Sequence, residues 1–185
     1  GDLVRLYFLI SQIEYIKTKD IPGSIAELGV FKGTTARLFH EAFPEKEILL
    51  FDTFEGFDER DVGHKKESSK AISGGWHSSE EDVRNLIGDS DLVKIYPGYF
   101  PETTLTINPK IQYALVHLDA DLYNPQKQGL EYFYPKMSQG GVMIIHDCNN
   151  EYFGSKKALD EFFSDKKEIP ILIPDKSGSA VIIKI

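Results

Sequence analysis

Short apolar runs at residues 24–28, 47–51, 91–96, 111–118 and 142–145 alternate with stretches of helical periodicity, and this alternation constrains the fold more than any other feature. Strands separated by helices do not pair as hairpins. They lie parallel, and the helices cross over to cover the sheet. Right-handed crossovers then give a doubly wound, mostly parallel α/β sheet with helices on both faces. Helical spacing is read over 2–18 from Leu3, Leu6, Tyr7, Ile10 and Ile13, and from Gly33 to Phe43 with Pro44 marking the end. Further helices are expected over 80–87, from Pro125 to about Met137, and over 155–163. Residues 169–173 and 180–185 flank a Pro/Ser/Gly turn and read as a closing antiparallel hairpin. A single domain over 1–185 is long enough to bury a sizeable core.

Residues 55–79 break this rhythm. They are polar, rich in Gly, Ser, Lys and Glu, and carry His64, Trp76 and His77. So long a connection is expected to be a lid or a disordered insertion. A lone loop histidine is most often just solvated, whereas the face of Trp76 is suited to stacking on a sugar or ring.

Ligands of doubly wound sheets gather at the C-terminal ends of the strands. The residues there are Glu27-Leu28-Gly29, Asp52, Gly98, Asp119 and His146-Asp147. Gly29 lets the backbone pass close to a ligand, and Gly33 at the next helix start leaves N–H groups to meet an anion. Thr34 and Thr35 add hydroxyls. The same glycines also suit a tight turn that needs them for packing alone. Phe31 stands two residues after Gly29, where the dinucleotide fingerprint G-x-G-x-x-G has glycine, which counts against a nicotinamide oxidoreductase. Asp52 is placed to accept both ribose hydroxyls of an adenosine, or to cap a turn.

In an extended strand His117, Asp119 and Asp121 share one face. Carboxylates at the mouth of a buried strand are unfavourable unless they meet a cation or a donor. Asp119, His146 and Asp147 together read as a site for Mg²⁺ or another divalent ion, the alternative being carboxylates paired with Lys or Arg. Asp119, Asp121 and His146, with His117 beside them, are the candidates for acid–base work. Tyr123 and Tyr152 lie near strand ends. Cys148 reads as an inert buried thiol.

Acidic residues outnumber basic ones, 29 to 21, for a net charge of −8, which disfavours nucleic acid and anionic membranes as partners. One cysteine fits a reducing, cytoplasmic setting. No apolar run approaches the roughly 20 residues of a membrane span, and no basic segment leads into an apolar stretch as in a signal peptide. An apolar face on the first helix could serve a homo-oligomer, though core packing is its commoner use.

Five segments together resemble the macrocin O-methyltransferase family: AELGVFKGTTA at 26–36, LLFDTFEGF at 49–57, YPGYFPET at 96–103, VHLDADLY at 116–123 and EYFYPKMSQGGVMIIHD at 131–147. The resemblance implies a class I methyltransferase fold of seven strands, the last antiparallel. It implies transfer of a methyl group from S-adenosylmethionine to a hydroxyl of a small molecule, a sugar or glycosylated metabolite, with divalent-metal assistance. Glu27, Gly29 and Thr35 would lie along the methionine portion, Asp52 at the ribose, and Gly98, Tyr99 and Phe100 at the adenine. Asp119 would serve the metal and the cofactor's amino group, with Asp147 as a further ligand. That family tends to have Asp-Asp where this chain has His146-Asp147. A domain of this fold that binds the cofactor without catalysis is the rival expectation.

Overall fold

The computed structural model describes residues 2–62, 72–149 and 154–185. The elements are α1 (Leu3–Thr18), β1 (Ser24–Leu28), α2 (Thr34–Ala42), β2 (Ile48–Asp52), α3 (Glu80–Ile87), β3 (Val93–Pro97), β4 (Tyr113–Leu118), α4 (Tyr123–Phe133), β5 (Met137–Ile145), α5 (Gly154–Phe163), β6 (Ile171–Ile173) and β7 (Ser179–Ile183). The strands form one sheet in the order β3-β2-β1-β4-β5-β7-β6. The strands from β3 to β5 pair in parallel, and β7 runs antiparallel to both β5 and β6. This is the doubly wound sheet expected from the alternation, closed by the expected hairpin. The winding reverses between β1 and β4, so a crevice opens where those two strands end.

Successive strand residues feed opposite faces. Ala26, Leu28, Leu49, Phe51, Val116 and Leu118 pack with α4 and α5 on one side. Ile25, Ile48, Leu50 and Leu115 pack with α1, α2 and α3 on the other. Both faces of the strands are apolar because both are covered.

Three boundaries differ from expectation. The fourth helix begins at Tyr123, ahead of Pro125, because proline in a first turn forfeits no intrahelical bond. It ends at Phe133, and a 3₁₀ turn follows over Tyr134–Lys136. The fifth strand begins at Met137, well before Val142, because Gly140-Gly141 forms an irregularity inside the strand and not a turn ahead of it. Gly140 has φ +78°, and its N–H donates to the Lys184 carbonyl.

The first helix corrects the reading of its apolar stripe. Leu3, Leu6, Tyr7 and Ile10 are 39–69% exposed, and only Ile13 of the stripe is buried. Leu9, Ile13 and Ile16 make the core face, each contributing about 1.5–3 kcal/mol. They anchor the later turns of α1, while the first turns lie at the strand mouths.

At the opposite end of the chain, Glu168 is buried and accepts from Lys184 Nζ (2.7 Å) and the Tyr134 hydroxyl (2.6 Å). Burial works against its charge, but those hydrogen bonds prevail and hold the carboxyl at about 2. A carboxylate lowered by folding stabilises above its ordinary pKa of 4.5 and loses that contribution as pH falls toward 2. Glu168→Gln is therefore expected to lower stability at pH 7 by about 1–2 kcal/mol and hardly at all at pH 2. Thermal melts at the two pH values check this; equal losses at both would contradict it.

Candidate active site

The sheet's ladder runs one residue past the strands. Gly29 N–H donates to Phe51 O (2.9 Å), Gly98 N–H to Asp52 O (2.9 Å), Asp119 N–H to Leu28 O (2.8 Å) and His146 N–H to Leu118 O (2.8 Å). The residues singled out in the sequence thus sit side by side along the crevice. Gly29 has φ +85°, and a Cβ on it would lie 2.0 Å from the Asp119 carbonyl oxygen. The glycine is required first by the close approach of two strand ends, and that approach sets the rim of the crevice.

Two cavities meet at this rim. One, of about 110 Å³, is walled by Asp52, Gly98, Tyr99, Phe100, Asp58 and Asp61. The other, of about 570 Å³, is walled by Arg5, Glu27, Thr34, Thr35, His146 and Asp147. Gly29, Phe31, Trp76, Asp119 and Asp121 line both.

Asp52 organises the first cavity. One carboxylate oxygen accepts the Val30 and Phe31 N–H groups (2.7 and 2.8 Å), and the other accepts Phe54 N–H (2.8 Å). It therefore caps the glycine loop and still faces the cavity, so both readings of it apply. Tyr99 donates to Asp61 (2.9 Å), and burial together with that bond pushes its hydroxyl up to about 12. Arg60 lies 3.6 Å over the Tyr99 ring and pairs with Asp58 through two bonds of 2.8 Å. Residues 54–57 and 74–78 are tied together by Phe57 N–H to Gly75 O, Gly74 N–H to Phe57 O and Ser78 N–H to Phe54 O. The described ends of the 55–79 segment thus form a closed base beside this cavity. Trp76 meets Phe31 edge-on, with ring centroids 5.5 Å apart.

In the second cavity Glu27 is fully buried, and its Oε1 lies 2.9 Å from His117 Nδ1. The two residues are register partners in β1 and β4. Burial, then the Asp119 charge, raises Glu27 well above the usual carboxylate range; burial lowers His117 to about 3. The pair is held neutral, with Glu27 Oε2 buried and lacking a hydrogen-bond partner. Such an atom calls for a donor.

The acidic cluster lies beside it. Asp119 Oδ1 is 2.8 Å from His146 Nδ1, and Asp147 Oδ2 is 2.8 Å from the same nitrogen. One donor atom from each of the three residues lies within 4.8 Å of the others. Asp119 Oδ2 accepts from Arg5 at 2.7 Å. Burial opposes the charge on Asp119, but the His146 hydrogen bond and the nearby cations keep it well below the usual carboxylate range. Burial also opposes charge on His146, yet its two carboxylate neighbours raise it to about 10. Burial, then Asp147 and Asp119, pushes Asp121 well above the ordinary range. Asp121 and Asp147 both adopt left-handed φ, +57° and +58°. Asp enters that region more readily than most residues, because its short side chain can hydrogen-bond locally.

Other expected residues fall elsewhere. Gly33 N–H is used by the Val30 carbonyl, and a Cβ there would press on Val83 of α3, so Gly33 serves helix packing. His117 is fully buried behind the crevice. β4 ends at Leu118, so strict alternation does not extend from His117 to Asp121. Tyr123 donates to Glu161, away from the crevice. His77 lines neither cavity. Cys148 is buried, and burial pushes its thiol up to about 12. His64 and Tyr152 lie outside the described residues. Arg5 and Asp61 were not anticipated. A signal for Arg5 exists: a lone cation in a helix's first turn opposes the macrodipole and needs an anion to meet.

A family model described as Macrocin-O-methyltransferase (TylF) matches residues 3–179. The chain is 29% identical over 164 residues to demethyldecarbamoylnovobiocin O-methyltransferase of Streptomyces niveus, covering 77% of this chain and 59% of that enzyme. It is 28% identical over 162 residues to mycinamicin III 3''-O-methyltransferase of Micromonospora griseorubida, covering 77% and 62%. It thus spans about three fifths of the length of these relatives. Among solved structures, it is similar to the O-methyltransferase NovP, with 25% identity, a TM-score of 0.81, and 98% of this chain and 79% of that one covered. The calicheamicin methyltransferase CalS11 shares the fold at 22% identity and a TM-score of 0.76, covering 96% and 79%. Among the described residues no helix is long and apolar enough to cross a membrane.

Proposed function

Because the chain belongs to the macrocin O-methyltransferase family, we propose that it transfers a methyl group from S-adenosylmethionine to a hydroxyl of a small molecule, a sugar or a glycosylated metabolite. The observation that carries this reading is the pair of cavities meeting at Gly29, Asp119 and Asp121. One presents Asp52 beside Gly98, Tyr99 and Phe100 and the other holds the acidic groups, so donor and acceptor would meet at a shared wall.

In this reading Asp52 accepts the ribose hydroxyls while its backbone bonds keep the glycine loop in place. Gly98, Tyr99 and Phe100 border the adenine. Gly29 and Thr35 flank the methionine portion, and the unpartnered Glu27 Oε2 receives the cofactor's amino group, with Asp119 nearby. A sulfonium donor needs little activation, so the protein's main work is to align the acceptor oxygen with the methyl carbon. It must also take the hydroxyl proton. Asp119 and His146 are engaged with each other and with Arg5 and Asp147, whereas Asp121 stands at the wall that both cavities share. Asp121 is therefore assigned as general base, Asp119 and His146 holding the acceptor side in position.

The donors Asp119, His146 and Asp147 fit a divalent ion: they are three, closely spaced and anionic overall, and carboxylates crowd around them. Such an ion, when bound, would lower the pKa of the acceptor hydroxyl. The novobiocin and mycinamicin relatives are both O-methyltransferases of small molecules, which supports the acceptor class.

Calorimetry with S-adenosylmethionine tests the reading directly. Binding is expected for the full chain, and Asp52→Asn is expected to weaken it on the order of 10-fold to 100-fold through lost charge-assisted bonds. Absence of binding would refute the enzyme; binding with no transfer to any sugar hydroxyl would leave a cofactor-binding domain.

A further inference from the structure

Oxygen-only sites suit Mg²⁺, but the donor set at this crevice includes an imidazole nitrogen. His146 Nδ1 is 2.8 Å from Asp119 Oδ1 and 2.8 Å from Asp147 Oδ2. Ligand bonds of about 2.1 Å meeting at right angles put neighbouring donor atoms about 3.0 Å apart. The described side chains hold a similar spacing through the Nδ1 proton that His146 shares with its two carboxylates, and an ion bound there would take that proton's place, leaving the neutral imidazole as ligand. His146 and Asp147 are both buried. Arg5 takes only Asp119 Oδ2, which leaves Oδ1 on the side of His146.

Resting on the metal-assisted reading above, we propose that this site selects a first-row transition ion, Mn²⁺ through Ni²⁺ or Zn²⁺, in preference to Mg²⁺. Mg²⁺ gains little from a neutral imidazole and gives up its water reluctantly. Later first-row ions bind nitrogen strongly, and affinity rises along the series from Mn²⁺. His146 is the specificity-determining ligand, because Asp119 and Asp147 offer oxygen to either class. Arg5 is a positioning residue: its ion pair fixes which Asp119 oxygen is presented.

The test uses the full chain, stripped of metal and loaded with S-adenosylhomocysteine, titrated calorimetrically with MgCl₂, MnCl₂, CoCl₂ and NiCl₂. Co²⁺ and Ni²⁺ are expected to bind on the order of 100-fold to 1,000-fold more tightly than Mg²⁺, with Mn²⁺ between. Electron spin echo spectra of the Mn²⁺ form should show the nitrogen coupling of a directly bound imidazole. His146→Asp should abolish that coupling and narrow the Co²⁺ over Mg²⁺ preference by on the order of 10-fold or more. His146→Gln, also without an imidazole, gives a second check should the aspartate variant fail to fold. Near-equal affinity for Mg²⁺ and Co²⁺, or bound Mn²⁺ without nitrogen coupling, overturns the inference while metal assistance stands. A chain that takes up S-adenosylhomocysteine but none of the four ions overturns the inference and metal assistance together.

Discussion

Asp119→Asn is expected to reduce methyl transfer by on the order of 10²-fold or more, through misplacement of the acceptor side, while leaving the sheet assembled. The substitution keeps the shape of the side chain and removes its charge. Two contacts depend on that charge, the 2.7 Å bond from Arg5 and the 2.8 Å contact with His146. Without it, His146 loses one of the two carboxylates that orient its ring, and Arg5 is left in the crevice without its counter-ion. Removing one member of a buried pair costs about 3–5 kcal/mol, but Arg5 and Asp119 retain 24% and 21% of their side-chain exposure, so about 2 kcal/mol is the fitting expectation. Turnover on a sugar hydroxyl, read beside a thermal melt, separates the two effects. Retention of a tenth or more of the wild-type rate would sink the acidic-cluster mechanism.

Gly29→Ala should have the largest effect on stability. Two terms add: a non-glycine residue at φ +85° is strained by about 1–2 kcal/mol, and its Cβ would sit 2.0 Å from a backbone oxygen that cannot swing away. Separating the strand ends then weakens the Asp119 N–H to Leu28 O bond next to the clash. A total of about 3–5 kcal/mol follows, which for a chain of this size lowers Tm by roughly 6–20 °C. Differential scanning calorimetry decides it. A shift of under about 3 °C would mean that the strand mouths are looser than described.

The fold was legible because alternation and strand length are local properties. So were the mouth residues, since a doubly wound topology places every strand end on one edge. What remained hidden depends on register and on long-range packing. Glu27 and His117 are ninety positions apart, and only the β1–β4 register makes them a neutral pair. Apolar residues lie on nearly every side of α1, so periodicity could not choose between the stripe through Tyr7 and the stripe through Ile16. The side that wins is the one the sheet covers, and that decision also brings Arg5 to Asp119. Asp61 belongs to the polar 55–79 segment, where composition predicts exposure. It is nonetheless 3% exposed, because Tyr99 folds over it.

The far rim of the larger cavity is assembled from pieces remote in sequence. Asp2 caps α1 and accepts the Lys176 N–H (2.7 Å), Ser177 reaches the cavity wall, and the Asn149 and Cys148 N–H groups donate to the Ser177 and Gly178 carbonyls. The smaller cavity, by contrast, is walled by the strand ends of β1, β2 and β3, with that of β4 at the shared rim. Mutations can therefore accumulate along the outer clasp with little penalty to nucleoside recognition. An engineer seeking new acceptors should diversify Lys176, Ser177 and the opening turn of the first helix, keeping Arg5, the buried Asp175 and Gly178, whose φ of +68° and contact with Asn149 leave no room for a side chain, and leave the glycine loop untouched.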